Sequence, residues 1–257
     1  MTYVHGYHER ESERLDDQAG ALVALLHHDT MYPPGSRVLE AGCGIGSQTV
    51  TLVRNSPGAR FTSIDVSESQ LAQARERVAG GDFRRADIFD LPFEDHAFDH
   101  VFVCFVLEHL DRPLQALRRL RRVVKPGGTF TVIEGDHGST YFHPDSDAAL
   151  DAIRCLVTLQ NGDANIGRRL YPLLVEAGLE DVRVSPRMVY VDASRPDLVD
   201  GFTRRTFTAM IEGVREAALD AGLISPERFD QGIADLDRAA EPGGTFCYTF
   251  FKATARA

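Results

Sequence analysis

Hydrophobic positions change their spacing again and again along this chain. Over residues 9–28, Leu15, Ala19, Leu22, Leu25 and Leu26 recur at helical intervals, which predicts an amphipathic helix. Pro33-Pro34-Gly35 stops it and feeds a short apolar strand, Arg37 to Ala41. That strand runs into Gly42-Cys43-Gly44-Ile45-Gly46, a sharp turn into a helix. Arg60 to Ile64, Asp82 to Ala86, His100 to Val106 and Thr129 to Glu134 read as further strands. The fourth, near-continuously apolar, implies burial on both faces. Ser67 to Val78 is a helix opened by the capping-box pattern Ser67-Glu68-Ser69-Gln70. Pro113 to Val124 is another, closed by a turn at Lys125-Pro126-Gly127-Gly128.

After Glu134 the rhythm changes. Helical patterns over 146–159 and Gly167 to Ala177 lead to a β-branched strand, Val182 to Val191. A helical tract from Pro196 to Ala221 precedes a helix capped by Ser225-Pro226-Glu227. Pro242-Gly243-Gly244 then turns into a last strand, Thr245 to Ala253. Strand and helix in alternation predict an α/β fold with a doubly wound, mostly parallel seven-stranded sheet. With no repeat or linker in view, 1–257 reads as a single domain. Its expected parts are a helical lid (1–34), a ligand-binding core (35–136), late helical insertions forming a substrate-side cap (137–240) and a final strand (241–257).

Composition narrows the function. The 257 residues are 43% hydrophobic and 26% charged with net charge −10, a balance that disfavours a nucleic-acid backbone as partner. The basic run Arg118-Arg119, Arg121-Arg122 and Lys125 suits the solvated face and last turn of a helix. Cys43, Cys104, Cys155 and Cys247 lack metal-ligand or disulfide spacing. Met1 to Arg14 has no apolar core, so it does not read as a signal peptide, and no apolar run approaches a membrane span. A cytoplasmic chain, with no membrane partner, is expected.

Chemistry gathers at consecutive strand ends. Asp65 closes the second strand about twenty residues after the glycines, where an acid can bond ribose hydroxyls. Asp87-Ile88-Phe89 follows the third strand and Phe105 ends the fourth. Singly, Asp65 and Asp87 could merely cap turns. Together they fall on one carboxyl edge, where open α/β sheets bind ligands. The glycine spacing is G-x-G-x-G, not the G-x-G-x-x-G of a pyrophosphate cradle, and Glu40 precedes it. An acid there repels pyrophosphate and attracts an ammonium or sulfonium, so the expected ligand is a phosphate-free nucleoside with a cationic side chain. S-adenosylmethionine fits that description.

On Glu40-Ala41-Gly42-Cys43-Gly44-Ile45-Gly46, Ser63-Ile64-Asp65-Val66-Ser67, Ala86 to Phe93, Phe98-Asp99, Leu107-Glu108-His109-Leu110 and Leu120 through Gly128, the chain resembles the class I S-adenosylmethionine-dependent methyltransferases. Within them it is most similar to the ubiquinone/menaquinone-biosynthesis branch, type 11. The resemblance covers roughly 35–135. It implies a Rossmann-like fold and roles residue by residue. Glu40 faces the methionine ammonium, while Gly42, Gly44 and Gly46 line the methionine and ribose. Asp65 pairs with the ribose hydroxyls, and Val66 and Gln70 border the adenine, although Gln70 could instead complete the capping box. Asp87 and the Ile88 amide read the adenine, Phe89 packs nearby, and Phe105 offers backbone to the ammonium. Tyr7, rather than Tyr3, closes over the cofactor carboxylate or is a packing aromatic.

The implied reaction is in-line attack on the sulfonium methyl group by N, O or C of a small, aromatic or hydrophobic molecule, yielding S-adenosylhomocysteine. Alignment alone supplies up to roughly 7–11 kcal/mol in favourable systems. After strand five, Glu134-Gly135-Asp136-His137 brings acids and a histidine to the expected cleft edge, with His137 and Asp136 as base candidates or, alternatively, loop-ordering residues. Tyr141, Phe142, His143, Tyr171, Met188, Tyr190, Phe202, Phe207 and Met210 either wall an acceptor pocket or are core. A base-flipping enzyme would carry Asn/Asp-Pro-Pro-Tyr after strand four, where this chain has Cys104-Phe105-Val106-Leu107. Hard-metal ligands beyond Asp136 are lacking, so the expectation is a metal-independent enzyme. A peptide or protein methyltransferase, or a silent cofactor-binding protein, stays open, as does a homodimer.

Overall fold

The computed structural model describes residues 22–160 and 162–257, beginning in a helix over 22–27 (α1). Most of the expected N-terminal helix, with Tyr3 and Tyr7, lies outside the described residues. Seven strands follow: β1 (Arg37–Ala41), β2 (Arg60–Asp65), β3 (Asp82–Arg85), β4 (Phe98–Cys104), β5 (Val124–His143), β6 (Glu180–Val191) and β7 (Thr245–Arg256). They form one sheet in the order β3-β2-β1-β4-β5-β7-β6. β1 pairs in parallel with β2 and β4, β2 with β3, and β4 with β5. Gly127 N–H donates to the Ala257 carbonyl and Ala257 N–H to the Gly128 carbonyl, which seats the residue following β7 beside the start of β5. The mostly parallel, doubly wound sheet expected from the sequence is therefore present.

Strand order changes direction at β1. From there β2 and β3 build outward on one side, β4 and β5 on the other, making β1/β4 the switch point where such sheets bind ligands. Val38 and Leu39 of β1, and Val101, Phe102 and Val103 of β4, are fully buried, as the continuous apolar run requires. α2 (Ser47–Asn55) leaves the glycine loop, and α3 (Glu68–Arg77) is capped by Ser67, whose hydroxyl accepts from the Gln70 N–H. α4 (Pro113–Val123) buries Ala116, Leu117, Leu120 and Val123. Its arginine run is indeed the outer face. Arg122 reaches the carbonyls of Leu91 and Phe93 and the Asp95 carboxylate, holding the loop before β4.

By packing, the chain divides into two compact units. One comprises Leu26–Gly135, Ile166–Arg187 and Phe250–Ala257; the other holds Asp136–Asn165, Met188–Thr249 and the described residues up to Leu25. Residues 166–187 thus group with the sheet, not with the late insertions as the boundaries at 136 and 240 had it. The reason is their apolar content: Ile166, Leu170, Leu173 and Leu174 enter the same core as Leu117 and Leu120 of α4. In the sheet unit, buried Lys252 ties the Leu26 carbonyl, Asp29 and Thr30 to β7.

In the second unit, α5 (Asp147–Leu159) packs on the helix Pro226–Ala239 at Gly232, where a Cβ would lie 2.5 Å from the Ala148 carbonyl oxygen. Phe202, Phe207, Phe246 and Tyr248 form a closed aromatic cluster. The tract read as one helix from Pro196 to Ala221 is broken. Val199–Thr208 is π-helical, with Thr206 Oγ1 donating to the Gly201 carbonyl five residues back, and Gly213 ends the next turn. A side chain competing for a backbone carbonyl favours that widened turn. The turn expected at Lys125 to Gly128 is instead the opening of β5, because the chain's last residue pairs with its glycines.

Candidate cofactor site at the strand ends

Glu40 stands on β1 just before the glycine loop and is 2% exposed. Its Oε2 accepts from Thr49 Oγ1 and Ser63 Oγ, both at 2.7 Å. Among the described residues, nothing bonds its Oε1, although that atom is buried. Burial pushes the carboxyl up to about 7, against the pull of the two hydroxyls. A buried carboxylate with one oxygen unsatisfied is a place for a cation or donor to sit.

The loop is shaped by close approach. Gly42, Gly44 and Gly46 all have positive φ. At Gly42 an added Cβ would fall 2.4 Å from Val106 Cγ2, and at Gly46 it would fall 3.0 Å from Ala74 Cβ. Gly44 N–H donates to Asp65 Oδ2 at 2.9 Å, and Ser67 N–H donates to Oδ1 at 2.9 Å. Asp65 therefore holds the loop itself. Burial raises its carboxyl, opposed by these N–H donors. Each carboxylate oxygen can still accept a second donor, so these bonds leave room for ligand hydroxyls. Gln70 Oε1 lies 3.2 Å from the Cβ position at Gly44, which places the side chain beside the loop while its backbone serves the cap.

Register carries the rim outward. Asp65 pairs with Arg85 on β3, two residues before Asp87. Asp87 is exposed and its Oδ1 accepts from Phe89 N–H, so the turn-capping reading is realised; Ile88 is buried beside it. The Phe89 ring lies under the Arg112 guanidinium at 5.0 Å. Val66 is exposed. Phe105 follows β4 with φ +57, its N–H donating to the Ile133 carbonyl and its ring 5.5 Å from Phe250. Glu40, the glycines, Asp65 and Gln70 are thus brought together, with Asp87 to Phe89 and Phe105 on the flanking strand ends.

Asp136 and His137, expected just beyond a fifth strand ending at Glu134, lie within β5 itself, which runs on to His143. Asp136 and His137 belong to the other compact unit, and both are buried. His137 Nδ1 lies 2.8 Å from Tyr248 Oη, and its backbone N–H donates to Ala164. Thr140 and Ser139 hydroxyls donate to the carbonyls of His137 and Asp136. These contacts order the segment. Of the aromatic and sulfur residues weighed for a pocket, Phe142, Phe202, Phe207 and Met210 are buried core, whereas Tyr141, Tyr171, Met188 and Tyr190 are exposed. Thr49 and Tyr248 went unseen in the sequence, and Ser63 and Val106 stood there only as members of longer motifs, with no role of their own. Ser63 faces Glu40 through the β1/β2 register, a signal available only once strands are aligned. Among the described residues no group of three or more His, Cys, Asp or Glu is placed to hold a metal ion, and no helix is long and apolar enough to cross a membrane.

Residues 39–132, which contain nearly all of this geometry, match the methyltransferase domain family. This stretch belongs to the class I S-adenosylmethionine-dependent methyltransferases of type 11. The chain is 39% identical over 103 residues to demethylmenaquinone methyltransferase of Clavibacter sepedonicus, covering 39% of this chain and 41% of that one. It is 28% identical over 225 residues to 27-O-demethylrifamycin SV methyltransferase of Amycolatopsis mediterranei, covering 84% and 76%. The solved structure of the [4+2]-cyclase SpnF shares the fold at TM-score 0.54 and 22% identity, covering 94% of this chain and 80% of that one. The chain spans about half the length of several curated relatives that it matches.

Proposed function

We propose that this protein transfers a methyl group from S-adenosylmethionine to N, O or C of a small organic, aromatic or hydrophobic molecule, without a metal. The observation that carries the reading is Glu40: a buried carboxylate whose Oε1 has no partner among the described residues, directly before a bare-backbone loop. That donor set suits a phosphate-free, cationic nucleoside and repels a pyrophosphate. When bound, the cofactor supplies an electrophilic methyl carbon on a positively charged sulfur. The chain's own residues supply alignment. Glu40 holds the ammonium end, Asp65 the ribose, and Asp87 with the Ile88 amide the adenine, so that the methyl group's position is set. The type 11 family match and the rifamycin relative, a methyltransferase by name, support a small-molecule acceptor.

The test is calorimetry with S-adenosylmethionine, S-adenosylhomocysteine and NADH, followed by methyl transfer to a small-molecule panel. Retention of NADH but of neither methyl-donor species would end the reading. Asp65→Ala is expected to weaken product binding by about 2–3 kcal/mol, since ligand hydroxyls and the Gly44 N–H lose their acceptor. Unchanged affinity would remove Asp65 from the site. We also assign proton removal from the acceptor to His137, assisted by Asp136. On that assignment His137→Ala lowers turnover at least tenfold while cofactor affinity changes less than about threefold. An unaltered rate at every pH would leave His137 as an ordering residue of its segment.

A further inference from the structure

Glu134 was read from the sequence as part of an acidic cleft edge, but its side chain is wholly shielded from solvent and turned into the protein. Its Oε1 accepts from the backbone N–H groups of Val106, at 3.1 Å, and Leu107, at 2.8 Å. These N–H groups open the 3₁₀ turn Leu107–His109, where a helical start leaves donors without partners of its own. The turn matters because of what it presents. Val106 Cγ2 lies 2.4 Å from where a Gly42 Cβ would be, so the valine is seated against the bare backbone of the ligand loop. Immediately before it, Phe105 has φ +57, a left-handed conformation that a side-chain-bearing residue keeps only when its surroundings enforce it. The restraints come from two successive residues of β5: the Ile133 carbonyl takes the Phe105 N–H, and the Glu134 carboxyl takes the next two.

We infer that Glu134 is a positioning residue of the cofactor site: it sets the Phe105–Leu107 turn, and through Val106 that turn fixes where the Gly42–Gly46 loop lies. The inference rests on the reading of that loop as the methyl-donor cradle. It gives β5 a part in cofactor binding at a distance from the ligand, by way of backbone bonds. An acceptor oxygen is what the geometry requires of residue 134, and glutamine supplies one. Burial raises the carboxyl well above its ordinary range, with the Glu108 charge adding to the effect, which accords with a role that does not depend on ionisation.

The experiment compares wild type, Glu134→Ala and Glu134→Gln by S-adenosylhomocysteine calorimetry, melting temperature and amide exchange over 105–110. Glu134→Ala is expected to weaken binding at least about tenfold and to speed exchange at Val106 and Leu107, whereas Glu134→Gln stays within about threefold of wild type. Two results overturn the inference: Glu134→Ala binding as tightly as wild type, or Glu134→Gln failing as badly as Glu134→Ala. Should Glu134→Ala not fold, Val106→Ala decides, because it keeps both backbone bonds and removes the contact at Gly42; Val106 also packs on the main core, so the variant's affinity is read at a temperature well below its own melting point. Weakened binding in that variant, with glutamine tolerated at 134, supports the link; unchanged affinity sinks it. Wild type that binds neither methyl-donor species defeats the reading of the loop itself, whereas wild type that binds alongside an equally competent Glu134→Ala defeats the Glu134 role alone.

Discussion

Gly42→Ala is expected to abolish measurable cofactor binding and to destabilise the fold by about 2–5 kcal/mol. Two separate effects add. With φ at +77 the backbone lies in the left-handed region, where a Cβ costs roughly 1–2 kcal/mol. The new methyl group would also meet Val106 Cγ2 at 2.4 Å, an overlap that only displacement relieves, at about 1–3 kcal/mol. Displacement is what function cannot tolerate, because Gly42 N–H bonds the Ile64 carbonyl and Gly44 N–H bonds Asp65. Gly80→Ala separates the two effects. Gly80 has a nearly identical φ of +78 and nothing within 4 Å of its Cβ position, so it should lose only the backbone part and keep its affinity. Adding Val106→Ala to Gly42→Ala should restore part of the stability. Equal denaturation midpoints and equal affinities for Gly42→Ala and Gly80→Ala would show that the close approach has no consequence.

That contrast also shows how far the sequence could be read. Three glycines at alternate positions after an apolar strand announced a bare-backbone loop, and the acids at 40, 65 and 87 announced a rim, because periodicity and strand ends are local signals. Strand β4 was legible for the same reason: a run buried on both faces must be apolar throughout. What stayed hidden depends on pairing between distant segments. Thr49 and Ser63 are ordinary hydroxyl residues until the register of β1 with β2 sets Ser63 opposite Glu40. Lys125 to Gly128 has turn composition, and only the arrival of Ala257 beside it makes it strand. Val199–Thr208 has helical spacing, yet Thr206 bonding back to Gly201 widens the turn. Glu134 and His137 are three residues apart on β5, and both look like cleft groups in a linear reading. One is taken by the Val106 and Leu107 amides, the other lies against Tyr248.

The Glu40 carboxyl makes the second large prediction, and its sign follows from burial. Its folded value of about 7 lies above the ordinary 4.5, so between those values the folded protein keeps a proton that the unfolded chain has released. Stability from this group is accordingly greatest below about pH 4.5, falls as pH rises towards 7 and levels off above it, by about 3 kcal/mol in all. Glu40→Gln removes the titration. Its stability relative to wild type should therefore climb through that window and reach a plateau near pH 7, as followed by urea denaturation at a series of pH values. The same substitution should be damaging for the ligand. A cation beside Oε1 is stabilised only by the ionised carboxylate, so wild-type affinity for S-adenosylhomocysteine should rise between pH 5 and 7 by up to about tenfold per unit. Binding should release a proton, detectable as a calorimetric heat that depends on the buffer. Glu40→Gln should bind about a hundredfold more weakly at pH 7, with no pH slope and no proton release. The two measurements pull in opposite directions, and that opposition is diagnostic. A residue retained for stability would lose stability when replaced at neutral pH, whereas one retained for a cationic ligand gains stability and loses affinity. A Glu40→Gln protein that binds as tightly as wild type at pH 7, with the same pH slope, would mean that the unsatisfied oxygen does not face the ligand.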